Sequence, residues 1–189
     1  MEKAPTEAEF HAKFKAFYTL QDNEATRLKQ VRLWRRLVLE DFARQQQQQQ
    51  RSQGADAAGP SVLSLDSFPL FTNAKLDRAL DAAGRKAVAD DLVASGHGQW
   101  HDAGKTLYVF VKTPSEWASI IYDFVQQNGL GGTIYTVYEL HSGDLTRNTP
   151  IQGIEPALCI QALEILENQN KAEVYPSDES LDETGVKFI

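Results

Sequence analysis

The sequence predicts an α+β protein made of two similar halves in tandem. Three observations carry this expectation. Stretches with helical and strand periodicity alternate along the chain instead of forming one block of each. The order of elements, a helix, a short strand, further helix and closing strands, occurs twice, each time over about 80–90 residues, near the lower end of domain size. With 42% hydrophobic and 10% aromatic residues in 189 positions, there is apolar material for two small cores.

The first half opens with an aromatic arm. "FHAKFKAFYTLQ", residues 10–21, sets Phe10, Phe14, Phe17 and Tyr18 within nine positions, ahead of any strong helix start. Such an arm either folds back onto its own domain or is meant for another chain. Residues 22–44 form the first clear helix. Asp22 or Asn23 can cap it, and Leu28, Val31, Trp34, Val38 and Phe42 recur at three- and four-residue steps, with Leu37 widening the stripe. The arginines opposite read as a solvated face. At 45–61, six glutamines give way to small residues, Gly and Pro, which predicts a flexible insertion with helical spill-over at its start. "VLSLDSFPLFTN" then suits a short strand or edge. "AKLDRALD" and "AGRKAVADDLVASG" are expected as two short helices, the second stopped at Gly96. In "QWHDAGKTLYVFVK" a short strand with Trp100, a turn around "DAGK" and the β-rich run 107–111 predict a hairpin.

The second half repeats the order. "TPSEWASIIYDFVQQNG" has Thr113 as a cap, Pro114 at the first helical position and Glu116 three residues after the cap, a capping box. Trp117, Ile120, Ile121, Phe124 and Val125 give it one apolar face. "TIYTVYEL" is expected as a strand, followed by the turn-rich "HSGDLTRNTPIQG". "EPALCIQALEILENQN" is a helix with Leu158, Ala162, Leu163 and Leu166 inward, and "KAEVY" and "GVKFI" close as two strands around the acidic "PSDESLDET". Each half therefore has the order of a winged helix, three helices with a small antiparallel sheet whose last hairpin is the wing. The expected division is an arm at 1–21, a first winged-helix domain at 22–112 that includes the Gln-rich insertion 45–61, and a second at 113–189.

Charge and composition exclude several functions. A net charge of −7 and a pI near 5.1 weigh against phosphate-rich partners, whose binders show clustered basic excess. In the third helix of the first half Arg85 and Lys86 are offset by Asp90 and Asp91. Its counterpart at 155–170 has no Lys or Arg and three Glu, a surface that repels a duplex. The different-class alternative, a winged-helix nucleic-acid-binding or transcription factor, thus rests on fold analogy alone. Cys159 is a single cysteine in an apolar helical stretch, which reads as a small buried hydrophobe. No apolar run approaches a signal peptide or a membrane span, so a cytosolic protein is expected. His97 and His101 flank a turn and strand start, where residues four apart do not converge on a metal. His141 beside "SGD" lacks a glycine-framed nucleophile, and "GLGGT" follows a helix without the Gly-Lys-Ser/Thr of a phosphate loop. Neither catalysis nor a metal or cofactor is expected.

Several strings go further than fold. "FYTLQ" ahead of a Trp-containing helix, "PLFTNAKLDRAL", "PSEWASIIYDFVQQNG", "TVYEL" and "KAEVY…GVKFI" resemble the vacuolar protein sorting-associated protein 25 family, the small subunits of ESCRT-II. The resemblance implies tandem winged helices and a non-enzymatic role in sorting ubiquitinated membrane proteins into multivesicular endosomes, in the cytoplasm and at the endosome membrane, with only indirect membrane contact. It implies that an aromatic and proline motif of the arm docks on the larger ESCRT-II subunits, vacuolar sorting proteins 22 and 36. The second domain would hold the N-terminal helix of an ESCRT-III subunit of the vacuolar sorting protein 20 type. Carried over by position, the family's Phe-Pro-Pro-Phe falls on Phe14, Lys15, Ala16 and Phe17, followed by Tyr18, and an upstream tryptophan falls near Phe10. Both prolines are missing, which removes a preset extended conformation but keeps the aromatic anchors. The candidate contacts to the ESCRT-II core are therefore Phe10, Phe14, Phe17 and Tyr18, on an extended or a helical path. Tyr135, Tyr138 and Glu139 are the candidates for the ESCRT-III helix, each tyrosine being alternatively a core position of its strand.

Overall fold

A computed structural model describes residues 11–53 (the backbone alone at 50–53), 61–102 and 104–189. These fall into two compact units, one comprising 11–45 and 61–111, the other 46–53 and 112–189.

Helix α1 (Glu24–Gln53), which belongs to the first unit as far as Gln45, starts at Asn23, whose Oδ1 accepts from the Thr26 N–H at 3.0 Å. Val31, Trp34, Leu37, Val38 and Phe42 are buried, as their spacing predicts. Leu28 is not; it is 49% exposed, and the polar Gln30, one turn before Trp34, turns inward instead. The helix also runs on through the glutamines to Gln53. Glutamine is a good helix former, and no Gly or Pro interrupts the chain before Gly54. The start of the expected flexible insertion is therefore helical over 45–53.

Strand β1 (Ser61–Ser64) is followed by a 3-10 turn at Pro69–Phe71. The segment "AKLDRALD" is not the expected helix. Strand β2 (Thr72–Asn73) ahead of it and β3 (Arg78–Ala79) within it pair antiparallel across the turn at 74–77. Asn73 Oδ1 accepts from the N–H groups of Lys75 and Leu76 at 3.1 and 3.2 Å, and Asp77 takes a left-handed φ of 53°. Side chains that satisfy turn amides locally compete with helix here and win. After α1, the helical pieces of this unit are thus the 3-10 turn Pro69–Phe71 and α2 (Ala82–Ala94), the latter capped by Asp81 accepting from Gly84 N–H at 2.7 Å. Strands β4 (Gly98–Trp100) and β5 (Thr106–Val109) complete an antiparallel sheet in the order β1-β5-β4, with Leu63 and Trp100 both opposite Leu107.

In the second unit, α3 (Pro114–Asn128) carries the predicted reciprocal cap. Glu116 N–H donates to Thr113 Oγ1 at 3.1 Å, and Thr113 N–H donates to Glu116 Oε2 at 2.7 Å. Gly129 ends the helix at φ 64°. "TIYTVYEL" is only half strand: β6 (Ile134–Thr136) turns directly into a short helix, α4 (Val137–His141). A second capping box causes the switch, with Glu139 N–H donating to Thr136 Oγ1 (3.2 Å) and Thr136 N–H to Glu139 Oε2 (2.8 Å). Helix α5 (Pro156–Asn168), capped by Glu155, packs on α3 and buries Cys159, Ala162, Leu163 and Leu166. Strands β7 (Ala172–Tyr175) and β8 (Gly185–Phe188) join β6 in an antiparallel sheet ordered β6-β8-β7, with Val186 and Phe188 facing inward. The two units are tandem winged-helix domains of an α+β protein. Among the described residues no helix is long and apolar enough to cross a membrane.

Two outcomes follow from this packing. Burial, reinforced by Glu155, pushes the Cys159 thiol from its ordinary 9.0 up to about 12. It should resist a thiol reagent near pH 8 in the native protein and react once urea unfolds it. Above about pH 9 the unfolded thiol ionises while the buried one stays neutral, so urea titrations should show stability falling as pH rises through that region. At Gly143, an added Cβ would stand 2.7 Å from both Cα and O of Glu139, backbone atoms that cannot swing aside. Gly143→Ala should lower the unfolding free energy by about 1–3 kcal/mol without loss of helix content.

Candidate functional site

The arm is not a loose extension over its described part. Residues 11–13 are helical, Phe14 breaks the helix with extended angles (φ −106°, ψ 106°), and a 3-10 turn follows at Lys15–Tyr18. The missing prolines matter for this path. A proline at position 16 would push residue 15 out of the helical region, whereas Lys15 and Ala16 leave the turn open.

Two side chains of α1 fasten the turn. Gln30 Nε2 donates to Phe17 O (2.9 Å) and Thr19 O (2.8 Å), while its Oε1 accepts from Gln21 N–H at 3.1 Å. Trp34 Nε1 donates to the same Phe17 carbonyl at 3.1 Å. The Phe17 ring stacks on the Trp34 indole at 4.4 Å and 13°, and Tyr18 meets it edge-on at 5.5 Å. Tyr18 OH and Asn73 Nδ2 both donate to His11 O (3.0 and 2.9 Å), and His11 Nε2–H donates to Leu70 O at 2.9 Å. Burial pushes the Tyr18 phenol up, with the Asn73 side chain opposing.

The four arm candidates therefore occupy different places. Phe17 and Tyr18 belong to the core of the first unit. Phe14 stands 45% exposed between the exposed Lys13 and Lys15. Phe10 lies outside the described residues. Gln30 is the functional residue that sequence reading passed over; its signal is a polar side chain at a position where the apolar stripe demands an inward one.

In the second unit the capping box separates Tyr135, Tyr138 and Glu139. Tyr135 lies on β6 opposite the buried Val186 and is half-buried. Tyr138 on α4 is 53% exposed, its ring edge-on to His141. The Glu139 carboxylate is exposed but closes the box on Thr136. The outer face of the sheet adds two residues not picked from the sequence, Ile134 and Tyr175, 57% and 44% exposed. They flank Gly185, where an added Cβ would lie 3.4 Å from Ile134 Cγ2 and 3.6 Å from Tyr175 Cβ. An apolar strip thus crosses three strands with a glycine floor. The Tyr175 OH donates to Glu173 Oε2 at 2.6 Å, and this bond pushes the phenol up.

The remaining polar groups have structural employment. Arg85 donates to the carbonyls of Leu80 (2.7 Å) and Leu65 (3.1 Å), Lys86 pairs with Asp90 at 2.6 Å, and Asp91 with Arg35 at 3.0 Å. The basic residues of α2 are thus engaged within the unit. His97 Nδ1–H donates to Phe110 O, whereas His101 lies against the Tyr108 ring. Ser142 Oγ–H donates to His141 Nδ1 at 2.7 Å, and His141 Nε2–H to Asp182 at 2.8 Å. This serine–histidine–aspartate line has the order of a hydrolytic triad. The N–H groups of Ser142 and Gly143 both donate to Tyr138 O, however, and so are not available to an oxyanion at Ser142. Its evident effect is to tie the 3-10 turn Leu181–Glu183 to α4.

Comparison with known proteins agrees with this anatomy. The ESCRT-II complex subunit family matches residues 11–155. The chain is 34% identical over 177 residues to vacuolar protein-sorting-associated protein 25 of Xenopus laevis, covering 93% of this chain and 94% of that one. To the protein of the same name from Arabidopsis thaliana it is 34% identical over 174 residues, covering 91% and 89%. Its fold is similar to a crystal structure of subunit VPS25 of the endosomal trafficking complex ESCRT-II (TM-score 0.68, 19% identity, 95% of this chain and 97% of that one). It is also similar to a chain in a crystal structure of the ESCRT-II complex VPS22/VPS25/VPS36 (TM-score 0.66, 20% identity, the same shares). The family match takes in the fastened arm, the first winged helix and the second as far as Glu155, and the chain belongs to the ESCRT-II complex subunit family, alongside the vacuolar protein-sorting-associated proteins 25.

Proposed function

We propose that this chain is a non-enzymatic adaptor within ESCRT-II. Its N-terminal arm docks on the larger subunits, the counterparts of VPS22 and VPS36. Its second unit holds the N-terminal helix of an ESCRT-III subunit of the vacuolar sorting protein 20 type. In this role it takes part in sorting ubiquitinated membrane cargo into multivesicular endosomes, acting in the cytoplasm and reaching the membrane through the complex. The observation that carries the reading is likeness to relatives of one name, which for the Xenopus laevis protein covers 93% of the chain, together with the family match over residues 11–155.

Two physical features support the two ends. On the arm, Phe14 is an aromatic side chain held on a turn already ordered by Gln30 and Trp34, so docking it forfeits little conformational freedom. Phe17 and Tyr18 contribute by building that turn, and Phe10 extends the aromatic set towards the N-terminus. In the second unit, residues 112–189 hold 4 Lys/Arg against 12 Asp/Glu, a net charge of −8, whereas residues 1–111 hold 15 against 14. The exposed Ile134, Tyr138 and Tyr175 thus belong to the acidic part of the chain, although Lys187 pairs with Ile134 on the neighbouring strand, with half-buried Tyr135 supporting the strand and Glu139 fixing the turn into α4. That combination suits a basic amphipathic helix, whose apolar face meets the strip and whose cations meet the carboxylates.

Phe14→Ala should weaken co-purification with the larger subunits by at least about thirtyfold in affinity while leaving the unfolding midpoint unchanged. Assembly at wild-type affinity contradicts the docking role. Deleting the arm is a poorer test, because it uncovers Trp34 and removes part of the core. Gln30→Ala touches no partner yet should loosen the turn, lowering stability by about 1–3 kcal/mol and docking along with it. At the other end, Ile134→Asp or Tyr138→Ala should weaken binding of the ESCRT-III N-terminal helix by roughly tenfold in titration calorimetry, with affinity falling as salt rises. Equal affinity for wild type and both variants excludes this surface.

A further inference from the structure

Residues 112–189 hold four basic side chains, and three of them are engaged within the unit. The Lys112 ammonium lies over the Trp117 ring at 4.8 Å, the Lys171 ammonium over the Tyr122 ring at 4.5 Å, and Arg147 pairs with Asp144. Lys187 has no such partner among the described residues. It stands on β8 between the buried Val186 and Phe188, so strand alternation turns it to the outer face of the sheet, the side of Gly185. Its cross-strand neighbours there are Ile134 on β6 and Glu173 on β7. Glu173 is the nearest counter-ion along the strands, but its carboxylate accepts from the Tyr175 OH at 2.6 Å and forms no ion pair with Lys187. The apolar strip over Ile134, Gly185 and Tyr175 therefore contains a half-buried, unpaired cation in a stretch whose net charge is −8.

A helix laid across this strip covers the Lys187 stem and crowds its ammonium. Apolar cover strips water from the charge, and a cation of the helix at that point meets a like charge at close range, which outweighs attraction to more distant carboxylates. We propose, resting on the docking reading above, that Lys187 is the specificity-determining residue of this surface. It admits a basic amphipathic helix only with a carboxylate, not a cation, of the helix set against it. Net negative charge attracts such a helix in either direction along the strip. Lys187 lies in the row with Ile134 and Glu173, one step from the Gly185–Tyr175 row, so it distinguishes the two directions and fixes the register.

The test is titration calorimetry of the full-length chain with the N-terminal helix of the ESCRT-III subunit, at about 0.1 M salt. Lys187→Met keeps the apolar stem and removes the charge, and Lys187→Glu reverses it. Attraction by net charge alone makes both variants bind more tightly than wild type. The proposal predicts the opposite sign, roughly threefold weaker binding for Lys187→Met and roughly tenfold for Lys187→Glu, with the unfolding midpoint of Lys187→Met unchanged. Changing the Asp and Glu residues of the helix to Lys one at a time should reveal a position that weakens binding to wild type and restores it to Lys187→Glu. If both Lys187 variants bind as tightly as wild type or more so while Ile134→Asp breaks docking, the selective role is wrong and the docking surface stands. If Ile134→Asp and both Lys187 variants all leave the affinity unaltered, the docking surface itself falls. Weaker binding by the Lys187 variants that no single change in the helix restores also overturns the proposal, since the lysine then acts through the fold and not on the partner.

Discussion

Two N–H groups on one face of α1, from the Gln30 carboxamide and the Trp34 indole, converge on a single carbonyl, that of Phe17. The rest of the first unit is arranged around that convergence. It seats the Phe17 ring flat on Trp34, and Trp34 in turn meets Phe71, Phe71 meets Phe68, and Phe68 stacks on Phe42. The arm is thereby the first link in a run of aromatic contacts that reaches well along α1. A buried carbonyl with two donors and a carboxamide with all its groups engaged leave few alternatives for the backbone of the turn. The same geometry decides which aromatic is exposed: with Phe17 and Tyr18 turned inward, Phe14 faces outward.

The second unit uses a different constraint. Two reciprocal Thr–Glu caps, at Thr113/Glu116 and Thr136/Glu139, set where α3 and α4 begin. The second ends β6 after three residues, so Ile134 lies on the sheet and Tyr138 on a helix. His141 and Asp182 then tie the segment between β7 and β8 back to α4, beside the backbone bond from Val137 N–H to Thr184 O. An exposed apolar strip is thus supported by polar contacts at its margins. Charge is segregated along the chain, so that its whole negative excess belongs to residues 112–189.

Most of the fold is legible in the sequence because the signals that define it are local. The apolar stripe of α1, the Thr113 cap, the left-handed stop at Gly129 and the hairpin around Gly104 each need only a few adjacent residues. The misreadings have the same origin in reverse. In "NAKLD" the Asn73 and Asp77 turn chemistry outweighs a stretch of good helix formers. In "TIYTVYEL" β-branched and aromatic composition conceals a Thr-x-x-Glu cap visible in the sequence. The site is harder to read. Which of Phe14, Phe17 and Tyr18 faces out depends on a glutamine thirteen residues beyond Phe17. Ile134 and Tyr175 become neighbours only through the pairing of β6 and β7 with β8. Spacing along the chain carries neither fact.

The account rests on an arm that is ordered before any partner arrives, and hydrogen exchange of the free, full-length chain reports on that directly. The amides of Phe17 and Gln21, bonded to Phe14 O and Gln30 Oε1, should already be protected in the isolated protein. Their exchange should change little when the larger ESCRT-II subunits bind. Exchange of these amides at the rate of an unstructured peptide, with protection gained only in the complex, would contradict it.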